Sequence, residues 1–350
     1  MCLESRDVDS ENSIRAKFFG RKKEMQRLSM HLDNLTHGQG ALVMIVGEPG
    51  IGKTRTAEAF EVGARDLGID VFWGRCYEGE GAPLYWPWIQ ILRHYLSLYE
   101  DEEISGHAGH GLPAIASVVS GFAIRFPGLP ELPAIEDPIS SRFRFFDSLS
   151  TLFVALAKIK PIVLILDDLH WADASSLLFL EFINHNISGS PIAIVGTCRD
   201  SELSRTHPLF ETLGALMRVD VFDRVALRGL TLEDVRDMLS EVYDISEREL
   251  SRVAEEIHER TEGNPFFVAE VLRLMREEAG ASVSNSIRDA ILPRTRVPEG
   301  IFEAIGRRLN RLSDGSTALL APAAVVGREF HLEVMRRLIP DIDEQNGKPR

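Results

Sequence analysis

Gly47-Glu48-Pro49-Gly50-Ile51-Gly52-Lys53-Thr54 has the spacing G-x-x-x-x-G-K-T; it follows the apolar run 41–46 and leads into a helical stretch from Arg55 to Leu67. A strand, a glycine-rich turn and a helix in that order turn successive backbone N–H groups, and a helix N-terminus, towards one anion. Gly47, Gly50 and Gly52 let the backbone curl around a phosphate without a Cβ clash. Lys53 has the reach for β- and γ-phosphates, and Thr54 offers a hydroxyl to Mg2+. Glu48, Pro49 and Ile51 inside the loop, and Arg55 just past it, complete the candidate nucleotide-contacting set. The plain alternative is a glycine-rich turn that holds nothing, and the full motif with both flanks argues against it.

A second apolar run, 161–166, ends in Asp167-Asp168. Two acids at the end of a buried strand suit a hard cation such as Mg2+, which prefers carboxylate oxygens directly or through water. Asp167 is expected in the metal shell and Asp168 beside the attacking water, as its polarising group. Such acids also cap loops; the phosphate-type loop upstream favours the metal reading. Asp173 is placed to N-cap a helix over 174–183. His170 has no second ligand at metal spacing, so a structural or phosphate-sensing role fits it better than metal binding. The strand 191–196 runs into Thr197-Cys198-Arg199, and Arg199 at its edge is a candidate contact for the γ-phosphate. A plain salt bridge at that edge remains open.

Around these motifs the pattern alternates strand and helix, which predicts a parallel sheet with both faces covered. Met25, Leu28, Leu32 and Leu35 share one helix face, whereas Arg21 reads from spacing alone as a charge on an exposed turn. Residues 69–74 form a β-branched and aromatic strand. The cluster from Pro83 to Trp88 reads as core packing rather than a ligand pocket. Gly and Pro density over 105–138 predicts an insertion with short helices, and 142–158 a longer helix. After a last strand at 224–227, Thr231 to Asp234 and Ser246 to Glu249 each read as a capping-box start. Gly263 suits a left-handed cap, and Asn264-Pro265 opens a helix over 266–278, turn chemistry that needs no ligand. Residues 282–297 read as a polar linker, followed by apolar-faced helices at 299–312 and 317–326.

The bulk numbers set limits. At 350 residues the chain is long for one core. With 39 Lys+Arg against 53 Asp+Glu, the net charge of -14 speaks against nucleic-acid binding by a broad basic face. Cys2, Cys76 and Cys198 are too scattered for a disulfide framework or a zinc site and read as free thiols. The acidic, polar start is unlike a signal peptide, and no apolar run approaches the ~20 residues of a membrane span, so a cytoplasmic location is expected.

With these residues in hand, the chain resembles the STAND class of P-loop NTPases, in particular the AAA-like ATPase module of large LuxR-type transcription regulators and of some class III nucleotide cyclases. The resemblance covers about residues 17 to 330. Its markers are Phe19-Gly20-Arg21 with Glu24, the loop 47–54, Pro83 to Trp88, Leu166 to Asp173, Thr197-Cys198-Arg199, Gly263 to Phe267, and Val326 to Phe330. It implies that Arg199 is the sensor arginine, that Pro265 is the lid proline packing on adenine, and that Phe19 to Arg21 line the base. It further implies that residues beyond about 298 open a winged-helix domain. The sensor repeats and output domain usual in the class do not follow within these 350 residues.

The expected fold is therefore α/β: a P-loop NTPase parallel sheet with helices on both faces, then a helical lid and the start of a winged-helix-like domain. The expected limits are a tail at 1–16, a core at 17–228 with an insertion at about 74–140, a lid at 229–290 and the winged-helix start at 291–350. The expected function is a switch that binds ATP with Mg2+ and is reset by slow hydrolysis, with ATP/ADP and Mg2+ as its cofactors. It would control a transcriptional or cyclase output located C-terminally or on a partner, with self-association or a regulatory protein partner. A non-hydrolysing scaffold, a constitutive ATPase or a P-loop kinase are the alternatives.

Overall fold

A computed structural model describes residues 17–279, apart from 79–82, 131, 133–136, 188, 201–206, 219–220 and 244, together with 320 and 322. The tail expected at 1–16, the linker at 282–297, and the winged-helix start with its helices at 299–312 and 317–326 lie outside the described residues. The chain divides into two compact units, Met1–Phe266 and Phe267–Arg350.

The first unit is built on five parallel strands, β1 (Ala41–Val46), β2 (Asp70–Arg75), β3 (Ile162–Asp167), β4 (Ile192–Cys198) and β5 (Phe222–Ala226), in the spatial order β2-β3-β4-β1-β5. The strand carrying the two acids is thus flanked by β2 and β4. Every residue of β1, β3 and β4 is buried, as continuous apolar runs in a sheet covered on both faces require. The alternation along the strands sorts them into two cores. Val43, Ile45, Val163, Ile165 and Val195 pack with α1 (Lys22–Thr36) and α2 (Lys53–Asp66) through Leu28, Leu32, Ala57 and Phe60. Leu42, Met44, Leu164, Leu166 and Ile194 pack on the opposite face. At about 1.5–3 kcal/mol for each fully buried aliphatic side chain, these two layers hold the sheet rigid enough to position what sits at its edge.

The second face is covered by the insertion. Helix α3 (Trp86–Leu98) is followed by three short helices, α4 (Asp101–Ala108), α5 (Leu112–Val118) and α6 (Ser120–Arg125), and then by α7 (Pro138–Ile159) and α8 (Ala174–Ile187). The short helices bury Ile104, Leu112, Ile115 and Phe122, which join the same core as Leu42, Met44 and Leu164 on this face of the sheet. Tyr85 and Trp88 are buried too, Trp88 edge-on to Phe179 at 4.7 Å, in keeping with packing as the role of the 83–88 aromatics. Helix α3 lies flush on β2: a Cβ on Gly74 would come 2.2 Å from the Pro87 carbonyl oxygen.

Several boundaries differ from the expected ones. Helix α7 begins at Pro138 because Asp137 caps it, accepting from the N–H groups of Ile139 and Ser140. Helix α2 begins at Lys53, so Lys53 and Thr54 belong to its first turn. Strand β5 starts two residues early, with Asp223 bonded to Arg27 and His31 of α1, which lets a carboxylate sit in an edge strand. Helix α9 (Pro208–Leu216) was not expected; Pro at its start fixes the first turn. Helices α10 (Leu232–Ser240) and α11 (Glu247–Thr261) start where their caps predict, with a full capping box at Thr231 and Asp234. At the end of α11, Glu262 is left-handed as well as Gly263, and α12 (Pro265–Ala279) follows.

Candidate functional site

The loop 47–54 joins β1 to α2, and the C-terminal edge of the sheet brings Asp167 and Asp168 to it from 113 residues away in sequence. The Thr54 hydroxyl lies 3.1 Å from Asp167 Oδ1 and 3.3 Å from Oδ2. Lys53, 7% exposed, donates to the carbonyls of Gly47 at 3.0 Å and Glu48 at 2.9 Å, so its amine is folded onto the loop's own backbone. Burial, and after it the Arg199 guanidinium, pushes the Lys53 amine below the usual lysine range, while Asp168 acts against the shift. Burial, and after it the neighbouring Asp167, pushes the Asp168 carboxyl above the usual carboxylate range, with Arg199, Lys53 and Arg75 opposing. Lys53, Asp167, Asp168 and Arg199 therefore share one electrostatic neighbourhood, in which charge is desolvated and small rearrangements carry large energies.

Asp168 sits at φ 59, in the left-handed region, at the sharp turn that ends β3. Two threonines and an arginine brace this corner. The Thr197 hydroxyl donates to Asp167 Oδ1 at 2.7 Å and accepts from the Asp168 N–H at 2.8 Å, tying both acids to β4. Arg75 at the end of β2 donates through Nε to Asp167 Oδ2 at 3.1 Å. Sequence reasoning missed Thr197 and Arg75 as parts of the site. Thr197 stood in a quoted triplet, but only the β3–β4 adjacency gives it a partner, and Arg75 faces Asp167 only through the β2–β3 register.

On the other side of the loop lies the chain from Gly263 to Phe266. Asn264 donates to the Pro49 carbonyl at 3.2 Å, and its side-chain oxygen accepts from Phe266 N–H at 3.1 Å. Gly50, at φ 79, would place a Cβ 2.9 Å from Phe266 Cβ, so the loop and this segment are in direct contact. Pro265 comes to the loop as well, its Cγ 3.9 Å from where a Cβ on Gly52 would stand. Asn264 is a third such residue, one that turn chemistry alone did not mark as part of the site.

Arg21 corrects the reading from spacing. It is 7% exposed, not a charge on an exposed turn, and its guanidinium donates to the Ile51 carbonyl at 2.8 Å and to the Arg228 carbonyl at 2.5 Å. Two backbone acceptors and Glu24 at 3.6 Å offset its desolvation. Phe19 beside it is half-buried. Arg55 pairs with Glu58 along the face of α2 at 2.9 Å. His170, 3% exposed, has Nε2 at 3.9 Å from Asp168 Oδ1. Burial pushes the thiols of Cys76 and Cys198 upward, that of Cys198 to about 12, which leaves both unsuited to nucleophilic chemistry at neutral pH.

Among the described residues no three His, Cys, Asp or Glu side chains converge into a metal cage. The oxygen donors present, the Thr54 hydroxyl and the Asp167 carboxylate, instead fit an ion that brings most of its ligands with it, as Mg2+ on phosphates does.

The model of the AAA ATPase domain family matches residues 17–195. An uncharacterized protein of Rhizobium meliloti (strain 1021) is 25% identical over 338 residues, 92% of this chain and 31% of its own length. The peroxide stress-activated histidine kinase mak3 of Schizosaccharomyces pombe is 23% identical over 244 residues, 67% of this chain and 10% of its own. The chain thus spans less than a third of the length of either relative. Among solved structures, Cdc6p from Pyrobaculum aerophilum has 15% identity and a TM-score of 0.46, covering 95% of this chain and 89% of that one. A STAND protein with a tetratricopeptide repeat sensor from Pyrococcus horikoshii has 16% identity and a TM-score of 0.41, covering 94% and 38%.

Proposed function

We propose that this chain, which belongs to the AAA ATPase domain family, binds ATP together with Mg2+ at the C-terminal edge of its sheet and hydrolyses it slowly, as a switch between two conformations. The observation that carries this reading is the 3.1 Å approach of the Thr54 hydroxyl to Asp167, with Lys53 and Asp168 in the same desolvated corner. In this reading the backbone from Gly47 to Thr54 cradles the phosphates, and Lys53 exchanges its two loop carbonyls for β- and γ-phosphate oxygens. Thr54 and Asp167 hold the metal ion. When bound, Mg2+ neutralises charge that develops on the phosphate oxygens during transfer. Asp168 orients a water and takes its proton as the water oxygen bonds to the γ-phosphorus and the bond to the β-bridging oxygen breaks, leaving ADP and phosphate. Arg199 senses the γ-phosphate. Pro265, Phe19 and Arg21 lie towards the base, and Glu48, Pro49, Ile51 and Arg55 frame the phosphates and sugar.

We assign 17–228 to the core, with the insertion at about 74–140, 229–290 to a lid, and 291–350 to the start of a winged-helix-like domain. Because Asn264 and Phe266 bond to the loop itself, a ligand that reshapes the loop also pulls on this segment of the lid. The output, transcriptional or cyclase, lies C-terminally or on a partner; self-association or a regulatory protein is the expected partner, and the cytoplasm the expected location. Among the described residues no helix is long and apolar enough to cross a membrane.

Single-turnover mixing of ATP with excess protein tests the reading. Slow, Mg2+-dependent release of phosphate, with ADP retained, is the expected result. Intact ATP after hours would favour a non-hydrolysing scaffold, and a phosphorylated acceptor accumulating with turnover would favour a kinase.

A further inference from the structure

We propose that Arg75 is a resident counter-ion of the metal site: it holds the Asp167 oxygen that a magnesium-bearing nucleotide claims, and its displacement sets the magnesium requirement. This rests on the role given above to Asp167. Arg75 is the last residue of β2 and stands directly opposite Asp167 in the parallel register. Its Nε donates to Asp167 Oδ2 at 3.1 Å. Asp167 is 1% exposed, and a carboxylate so buried is costly unless a cation and hydrogen bonds answer it. Its Oδ1 accepts from Thr197 at 2.7 Å and from Thr54, the hydroxyl expected on the metal, at 3.1 Å, whereas Oδ2 accepts from Arg75 and lies farther from Thr54, at 3.3 Å. Lys53 does not fill this role, because its amine is spent on the Gly47 and Glu48 carbonyls.

The geometry also separates what can move from what cannot. The Arg75 backbone is bracketed by the Gln90 amide, which donates to its carbonyl at 2.7 Å and accepts from its N–H at 3.4 Å, and Gly74 lies hard against Pro87. The side chain, by contrast, is 60% exposed, so the guanidinium can turn into solvent without disturbing the strand. A divalent cation and a guanidinium repel each other at one oxygen, so the arrival of the first favours departure of the second. A plain surface ion pair of the same length would leave the metal dependence of nucleotide binding untouched.

The test is the thermal stability of the full chain with ADP, titrated with MgCl2 and, separately, in EDTA. Arg75→Gln is expected to lower the Mg2+ concentration at half-maximal shift about fivefold. ADP binding in EDTA should stay within about twofold of wild type, since Arg75 acts through Asp167 and not on the nucleotide. Arg75→Lys keeps a cation, folds more safely, and should fall between the two. An unchanged Mg2+ half-point in both variants overturns the inference, and so does an equal loss of ADP affinity with and without Mg2+, which would put Arg75 on the phosphates. A wild-type chain with no Mg2+-dependent shift at all would overturn the nucleotide reading as well, whereas a normal wild-type shift with unaltered variants overturns the role of Arg75 alone.

Discussion

Lys53→Ala is expected to weaken ATP binding in the presence of Mg2+ by about 100-fold, as the loss of charge-assisted hydrogen bonds worth ~1.5–3 kcal/mol implies. The protein should nevertheless remain folded. Lys53 is a desolvated cation whose pKa is pushed down, by burial first and Arg199 second, so its charge costs the fold stability at neutral pH. A group with a lowered amine pKa carries that cost at every pH below its folded value and sheds it only above the ordinary lysine range. Alanine removes the cost while freeing the carbonyls of Gly47 and Glu48, so the melting temperature should hold or rise. Calorimetric titration with ATP, beside a thermal melt, reads both quantities. Undiminished affinity in a folded Lys53→Ala protein would contradict the phosphate role of the loop.

Asp168→Asn is expected to separate binding from hydrolysis. Asparagine is nearly isosteric and is among the residues most tolerant of the left-handed conformation Asp168 adopts, so the corner of β3 should survive. ATP affinity should change by less than about threefold, while the single-turnover rate falls by ~10²- to 10⁴-fold, the usual worth of a general base. The nucleotide-free variant should also melt higher at neutral pH. A carboxyl whose folded pKa is raised costs stability above that pKa, and the cost vanishes as pH falls below the unfolded value of about 3.9. The gap in melting temperature between variant and wild type should therefore close on acidification. Hydrolysis at the wild-type rate in Asp168→Asn would remove Asp168 from the reaction.

What the sequence disclosed and what it hid follow one physical division. The loop 47–54 and the acids 167–168 are legible because each is a contiguous stretch whose chemistry depends on its own spacing and on the run of apolar residues before it. Partners that depend on which strands lie side by side are not. Arg75 and Thr197 meet Asp167 only because β2 and β4 flank β3, an order that no local pattern encodes. Arg21 misled for a related reason: a charged residue before a helix looks solvated until two distant carbonyls, of Ile51 and Arg228, are brought around it. Asn264 reads locally as turn chemistry, which it also performs, yet its amide reaches the Pro49 carbonyl. The insertion was legible as short helices, but the density of Gly and Pro concealed how firmly Ile104, Ile115 and Phe122 anchor them.

The claim on which all of this turns is that Thr54 and Asp167 hold a divalent ion only in company with a bound nucleotide. Electron paramagnetic resonance of Mn2+, used in place of Mg2+, measures that directly through the loss of the free-ion signal. The account predicts that protein alone leaves the Mn2+ signal nearly unchanged, that adding ATP and protein together removes it beyond what ATP removes by itself, and that Thr54→Ala or Asp167→Asn restores it. Mn2+ bound tightly without nucleotide, or a ternary signal indifferent to both substitutions, would contradict it.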